Sequence, residues 1–344
     1  MMSEYKGRRV LIVGAGCMGM IMGYYLSLAG VEVTFLVRPH RTEALSRPQV
    51  LYCYDDNKLK EYKDFKYITD PQKMVGADYD YIIVTLDGTA LRNEVGQNLV
   101  KSIGDAVRAT KTQVILGSVF VELKPWFLEV SGLNEGQVTN SVLFIMVYET
   151  RNLTLPVYPP TDPQLVAKAD LAYSDALDTG FMVDDSASPN VANDFAGMWK
   201  ASGVSSCAVI PAAQFGINIA PFFPIFAACK LMGWPKFKDI RSEDETWSLG
   251  VAAAKEIQGL GIFGEPGRQA AEATTEAGMA ATWAAMEKAV LPFDMQTFNR
   301  YHHGGKVNVQ DQELLRACLS YGEAEGKSMS ALQELLQRDE QHQT

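Results

Sequence analysis

Arg9-Val10-Leu11-Ile12-Val13-Gly14-Ala15-Gly16-Cys17-Met18-Gly19 decides the fold, with the run Met20 to Leu28 that follows it. Val10 to Val13 are apolar and largely β-branched, as in a buried parallel strand. A glycine turn follows, and then a helix-like run that ends at Ala29-Gly30. This is the order a dinucleotide-binding turn requires. Gly14 permits the tight turn, Gly16 lets the backbone approach a pyrophosphate, and Gly19 lets the helix pack close to the strand. The backbone N–H groups and positive dipole end of such a helix then hold phosphates. A glycine pattern alone is weak, but its setting here strengthens it. Val31-Glu32-Val33-Thr34-Phe35-Leu36-Val37-Arg38 supplies a second strand at βαβ spacing.

Size and charge narrow the rest. A chain of 344 residues holds two domains with cores of their own. A net charge of −10 argues against nucleic acid and anionic membrane as partners and leaves a small-molecule substrate. The five scattered cysteines show no metal-type spacing. No metal is expected, and free thiols in a reducing, cytoplasmic compartment are the simplest reading. Met1 to Arg9 is polar and lacks a signal-peptide core. Asn152-Leu153-Thr154 is read as a chance glycosylation match. Ala208 to Cys229 carries no charge and nears membrane-span length, but Pro211, Pro221 and Pro224 make a core helix the better reading.

Taken in order, Arg38 and Arg41 stand at the end of the second strand, where an NAD site usually has an acidic residue. Two guanidinium groups suit a 2′-phosphate, so NADPH is expected over NADH. Val50 to Thr69 reads as short strands, and Tyr79 to Leu86 as a buried one. Ala90 to Ile103 reads as a helix and Gln113 to Ser118 as a further strand. Val138 to Tyr148 and Leu153 to Tyr158 read as later strands. The ends Thr85-Leu86 and Ser118 should face the cofactor. A first domain over residues 1–190 is expected, with a helical domain over 191–344. Its helices fall at Asn193 to Ser202, Pro211 to Gly233, Trp247 to Gln258, Arg268 to Val290, Gln310 to Leu319 and Ser328 to Arg338.

The whole length resembles the ketopantoate reductase (2-dehydropantoate 2-reductase) family, as a divergent member. The resemblance rests on Gly14-Ala15-Gly16-Cys17-Met18-Gly19, the arginine ending the second strand, Val84-Thr85-Leu86, and Gly322-Glu323-Ala324-Glu325-Gly326 before a terminal helix. It implies an N-terminal Rossmann domain and an all-α C-terminal domain like that of 6-phosphogluconate dehydrogenase. It also implies NADPH and hydride transfer to the carbonyl of a 2-oxo acid in an interdomain cleft. Homodimerisation is the expectation for a soluble enzyme of this size.

Departures from the family pattern are chemical. Asp87 stands where the family has a lysine near the cofactor phosphate, and would repel it. The strand end Leu116-Gly117-Ser118-Val119 lacks the family's asparagine. The best register puts Gln214 at the family's proton-donating lysine, Asn218 at its first asparagine and Phe222 at its second. An amide does not donate a proton as an ammonium does. Lys200 and Lys230 are poor substitutes. Asp294 stands at the family's cofactor-side carboxylate, Asn299 at the asparagine that follows it, and Thr282 at a substrate-binding serine.

Arg300-Tyr301-His302-His303-Gly304-Gly305-Lys306 offers a replacement acid. A histidine gives a proton to a developing alkoxide near neutral pH, and Asp294 would orient it or raise its pKa. Adjacent residues lie about 100° apart on a helix, so one of His302 and His303 would face the cleft. A solvent-exposed pair before a Gly-Gly turn is the alternative. Three functions follow: an NADPH-dependent reductase of a carbonyl or imine other than ketopantoate, a true 2-dehydropantoate 2-reductase with a shifted lysine, or a non-catalytic NADP(H) sensor.

Overall fold

The computed structural model describes residues 4–177 and 179–342, so the first three residues of the Met1–Arg9 segment, and Gln343 beside His342, lie outside it. Two compact units divide the chain, Met1–Pro211 and Ala212–Thr344.

The first unit is a doubly covered sheet. Its strands are β1 (Arg9–Val13), β2 (Glu32–Leu36), β3 (Gln49–Cys53), β4 (Lys58–Tyr62), β5 (Phe65–Ile68), β6 (Tyr81–Val84), β7 (Gln113–Leu116), β8 (Val138–Leu143), β9 (Met146–Glu149), β10 (Leu171–Ser174), β11 (Phe181–Asp184) and β12 (Cys207–Ile210). Eight of them form one sheet in the order β12-β11-β8-β7-β6-β1-β2-β5. Every pairing in it is parallel except β8 with β11. The unbroken apolar run of β1 has a direct cause. Val10 and Ile12 pack in one layer, Leu11 and Val13 in the other. Both faces are covered, so alternation is lost. Val10, Leu11 and Ile12 are wholly buried, each worth about 1.5–3 kcal/mol of transfer free energy.

A second sheet, in the order β4-β3-β10-β9, packs its tyrosines inward; Tyr52, Tyr62, Tyr148 and Tyr173 are all buried. The expected strand at Leu153 to Tyr158 is instead irregular chain between β9 and β10. Pro156, Pro159 and Pro160 remove the N–H donors a ladder needs. The expected strand Val138 to Tyr148 divides into β8 and β9, which enter different sheets.

The expected domain boundary at residue 190 moves to Pro211. The helix Pro189–Lys200 buries Phe195, Met198 and Trp199 in the first unit's core, where the Trp199 ring stacks on Phe181 at 4.7 Å. β12 then extends the first unit's sheet.

The second unit is helical: Ala212–Ile219, Phe222–Leu231, Glu245–Gln258, Gly264–Ala273, Glu276–Ala289, Met295–Tyr301, Asn308–Ala324 and Ser330–His342, with shorter turns between. By length and composition the stretch Ala212–Leu231 could cross a membrane, but 67% of its most apolar window is buried in protein, as in a core helix. Pro221 interrupts it. The expected helix Arg268 to Val290 also divides, because Thr275 caps a new start by accepting from the Gly278 N–H at 3.1 Å.

Candidate functional site

β1 runs out at Val13, and Gly14 turns the chain with φ +103°, a conformation that disfavours side chains. A Cβ there would lie 2.8 Å from Thr85 Oγ1. Gly16 precedes the helix Cys17–Leu28, and no side chain caps that helix or places a carboxylate in its first turn. A Cβ on Gly16 would meet nothing within 4 Å, so the turn is open to a ligand on that side. On Gly19 a Cβ would lie 2.1 Å from the Gly14 carbonyl oxygen. The turn is therefore closed where helix meets strand and open where phosphates would sit, the geometry of a diphosphate cradle.

The neighbouring strand ends are tied to this turn. Thr85 Oγ1 donates to the Val13 carbonyl at 2.8 Å, and Ser118 Oγ donates to the Leu86 carbonyl. β1, β6 and β7 thus present Ala15, Thr85, Leu86 and Ser118 along one carboxyl edge. Cys17 is buried and Met18 is half-buried beneath it. Arg38 is exposed just past β2. Arg41 Nη2 donates to the Ala15 carbonyl at 3.1 Å, which sets its guanidinium beside the turn. Asp87 accepts from the Ala90 N–H at 2.7 Å and caps the helix Gly88–Arg92. Its charge is engaged by a helix start, which weakens the expected repulsion of a phosphate.

In the helical unit, Gln214 and Asn218 are both exposed on the helix Ala212–Ile219, four residues apart and so on one face. The other expected substrate residues fare differently. Phe222 is half-buried in an aromatic cluster, its ring 5.0 Å from that of Trp283. Thr282 is exposed, with its hydroxyl bonded back to the Gly278 carbonyl at 2.9 Å. Asn299 is 3% exposed, and its amide donates to Gln296 Oε1 at 3.3 Å.

Neither histidine is placed as an acid. His302–Lys306 forms a π-helical turn. His303 stacks on Phe226 at 3.7 Å, with Nδ1 2.8 Å from Asp311 Oδ2; His302 stacks on Phe298. Burial pushes the His303 imidazole down to about 3 and the Asp311 carboxyl up, so the pair favours its neutral form. Burial also lowers His302, and His303 and Lys306 add to the effect. Asp294 does not orient either ring. It is 1% exposed, caps the helix Met295–Tyr301 through the Thr297 N–H at 2.9 Å, and pairs with Lys236 Nζ at 2.6 Å.

Lys236 is the group that sequence reading missed. Its side chain is one-third exposed, and its ammonium lies between buried Asp294 and, at 4.0 Å, Glu287. Trp234, two residues before it, has φ +61°, strained for a bulky side chain. Lys200 is exposed at the end of its helix in the first unit. Lys230 Nζ is held 2.8 Å from buried Asp339 and 3.1 Å from Asn308.

Residues 10–106 match the model of the ketopantoate reductase PanE/ApbA family. No curated protein sequence matches the chain. Among solved structures, 2-dehydropantoate 2-reductase from Geobacter metallireducens GS-15 superposes with TM-score 0.68 at 16% identity, over 97% of this chain and 99% of that one. The 2-dehydropantoate 2-reductase from Methylococcus capsulatus gives 0.67 at 16% identity, over 95% and 94%. D-mandelate dehydrogenase in complex with NADH gives 0.61 at 11% identity, over 97% and 98%. The fold is the ketopantoate reductase fold, and the resemblance read from the sequence stands.

The histidine geometry makes a testable statement. The His303 ring resonance, assigned by its loss in His303→Phe, is expected not to titrate between pH 8 and pH 5. A midpoint between pH 5.5 and 7 would show an imidazole available as an acid.

Proposed function

We propose that the protein is an NADPH-dependent oxidoreductase of the ketopantoate reductase type, reducing a carbonyl or imine other than ketopantoate. The observation that carries this reading is the Gly14–Gly19 turn: closed toward β1, open toward solvent, and followed by an uncapped helix start. Bound there, a nicotinamide dinucleotide would supply the hydride. The chain's part is to hold the dinucleotide, orient the acceptor and deliver a proton. The first-turn backbone takes the diphosphate, and Arg38, exposed and free of carboxylate partners among the described residues, takes the 2′-phosphate.

Gln214 and Asn218 are the polar pair that we assign to the substrate. Two amides can hydrogen-bond a carbonyl or carboxylate but cannot protonate an alkoxide. That task falls to Lys236, whose ammonium Asp294 holds in place. Lys236 would supply the proton taken up by the acceptor's oxygen, or by the nitrogen of an imine. The cluster of Lys236, Asp294 and Glu287 favours an enzyme over a non-catalytic sensor. The absence of a lysine at position 214 disfavours ketopantoate as substrate.

Two variants test the assignment. Arg38→Ala should weaken NADPH by at least tenfold and NADH by less than threefold, measured calorimetrically; equal losses would reject the 2′-phosphate role. Lys236→Met should lower kcat by at least a hundredfold against a panel of 2-oxo acids, ketones and imines while the NADPH Kd stays unchanged. Unaltered turnover would place the acid elsewhere.

A further inference from the structure

Beside the glycine turn, wholly within the first unit, lies a cavity of about 530 Å³. Its size is that of a small-molecule site. Ala15, Gly16 and Met20 form one wall; the connection between β9 and β10, with its short helix Pro163–Val166, forms much of the other. Leu153, Leu155, Val166 and Leu171 make much of the lining apolar.

Its charges are arranged with one left over. Arg47 grips Asp170 through both oxygens, at 2.8 and 2.5 Å, and holds that carboxyl below the usual carboxylate range. Arg151 grips Glu149 at 3.2 and 3.0 Å. Arg41 lines the same cavity and has no carboxylate partner among the described residues; its guanidinium donates to the neutral Ala15 carbonyl. Three arginines thus face two carboxylates. Of the groups at the dinucleotide edge, Ala15 and Gly16 line the cavity, whereas Thr85, Leu86, Ser118 and Arg38 do not.

We propose that this cavity is a second small-molecule site, for an amphipathic monoanion: a carboxylate or sulfonate on an aliphatic or aromatic body. The anion pairs with Arg41, and the apolar body lies along Leu155, Val166 and Leu171. Arg41 also touches Ala15 of the turn, so an occupant of the cavity is felt at the dinucleotide site. The inference goes beyond the oxidoreductase reading, and its first test does not depend on that reading.

The test uses the full chain and 8-anilinonaphthalene-1-sulfonate as the probe, read by fluorescence and calorimetry. One probe per chain should bind saturably. Val166→Trp, which fills the cavity, and Arg41→Gln, which removes the charge, should each weaken it at least tenfold. If Val166→Trp lowers the Tm, Ala167→Tyr at the exposed rim is read in its place. Saturating NADP+ should leave the probe bound, with its affinity changed by less than tenfold. Probe affinity insensitive to the cavity-filling variant would overturn the proposal. So would one-for-one displacement of the probe by NADP+, which would make the cavity part of the cofactor site. Failure of NADP+ to bind would count against the oxidoreductase reading alone.

Discussion

The first unit depends on one close approach, between the first turn of the Cys17–Leu28 helix and the end of β1. At Gly19 there is no room for a methyl group against the Gly14 carbonyl, and at Gly14 none against Thr85 Oγ1. Any side chain at 19 pushes the helix away from the strand. Any side chain at 14 also meets an unfavourable φ. The same contact that packs the helix aims its N-terminal backbone outward from the sheet's carboxyl edge. Packing and an open, uncapped helix start are therefore two consequences of one geometry, and the bonds from Thr85 and Ser118 brace it from the next strands.

The helical unit is organised differently, around buried polar groups that satisfy one another. Asp339 is wholly buried and accepts from Lys230 and Gln312; Asp294 accepts from Lys236 and a helix start. A buried carboxylate without such partners is expensive, and removing one partner costs more than the pair contributes. This accounts for the mixture of roles. Lys230 pairs with Asp339 and its side chain is mostly covered, whereas the Lys236 side chain is one-third exposed. The imidazoles, stacked on phenyl rings, are held neutral by the same apolar packing that stabilises their turn.

Much of the fold was legible for a physical reason. β1, β6 and β7 are covered on both faces, so each is a short unbroken apolar run between turn residues. Boundaries failed where a polar residue has two readings. Thr275 and Asn93 sit comfortably within a helical pattern, yet each caps a new helix. Trp199 in an Ala- and Asp-containing helix gave no sign of which unit it would bury in. The helix Leu123–Ser131 was hidden because its entry residue, Glu122, takes a left-handed conformation that local pattern does not announce. At the site, the glycine turn was readable because its chemistry is local. Lys236, Glu287 and Asp294 come together only through tertiary packing, so no spacing rule could join them, and the stacking of His303 on Phe226 and His302 on Phe298 was not readable for the same reason.

The central claim is that a dinucleotide seats on the Gly14–Gly19 turn, and hydrogen exchange of the full chain with and without NADPH tests it most directly. The account predicts slowed exchange in peptides covering residues 14–20 and 85–88 on NADPH addition. Unchanged exchange at the turn, with NADPH saturating or with protection only elsewhere, would contradict it.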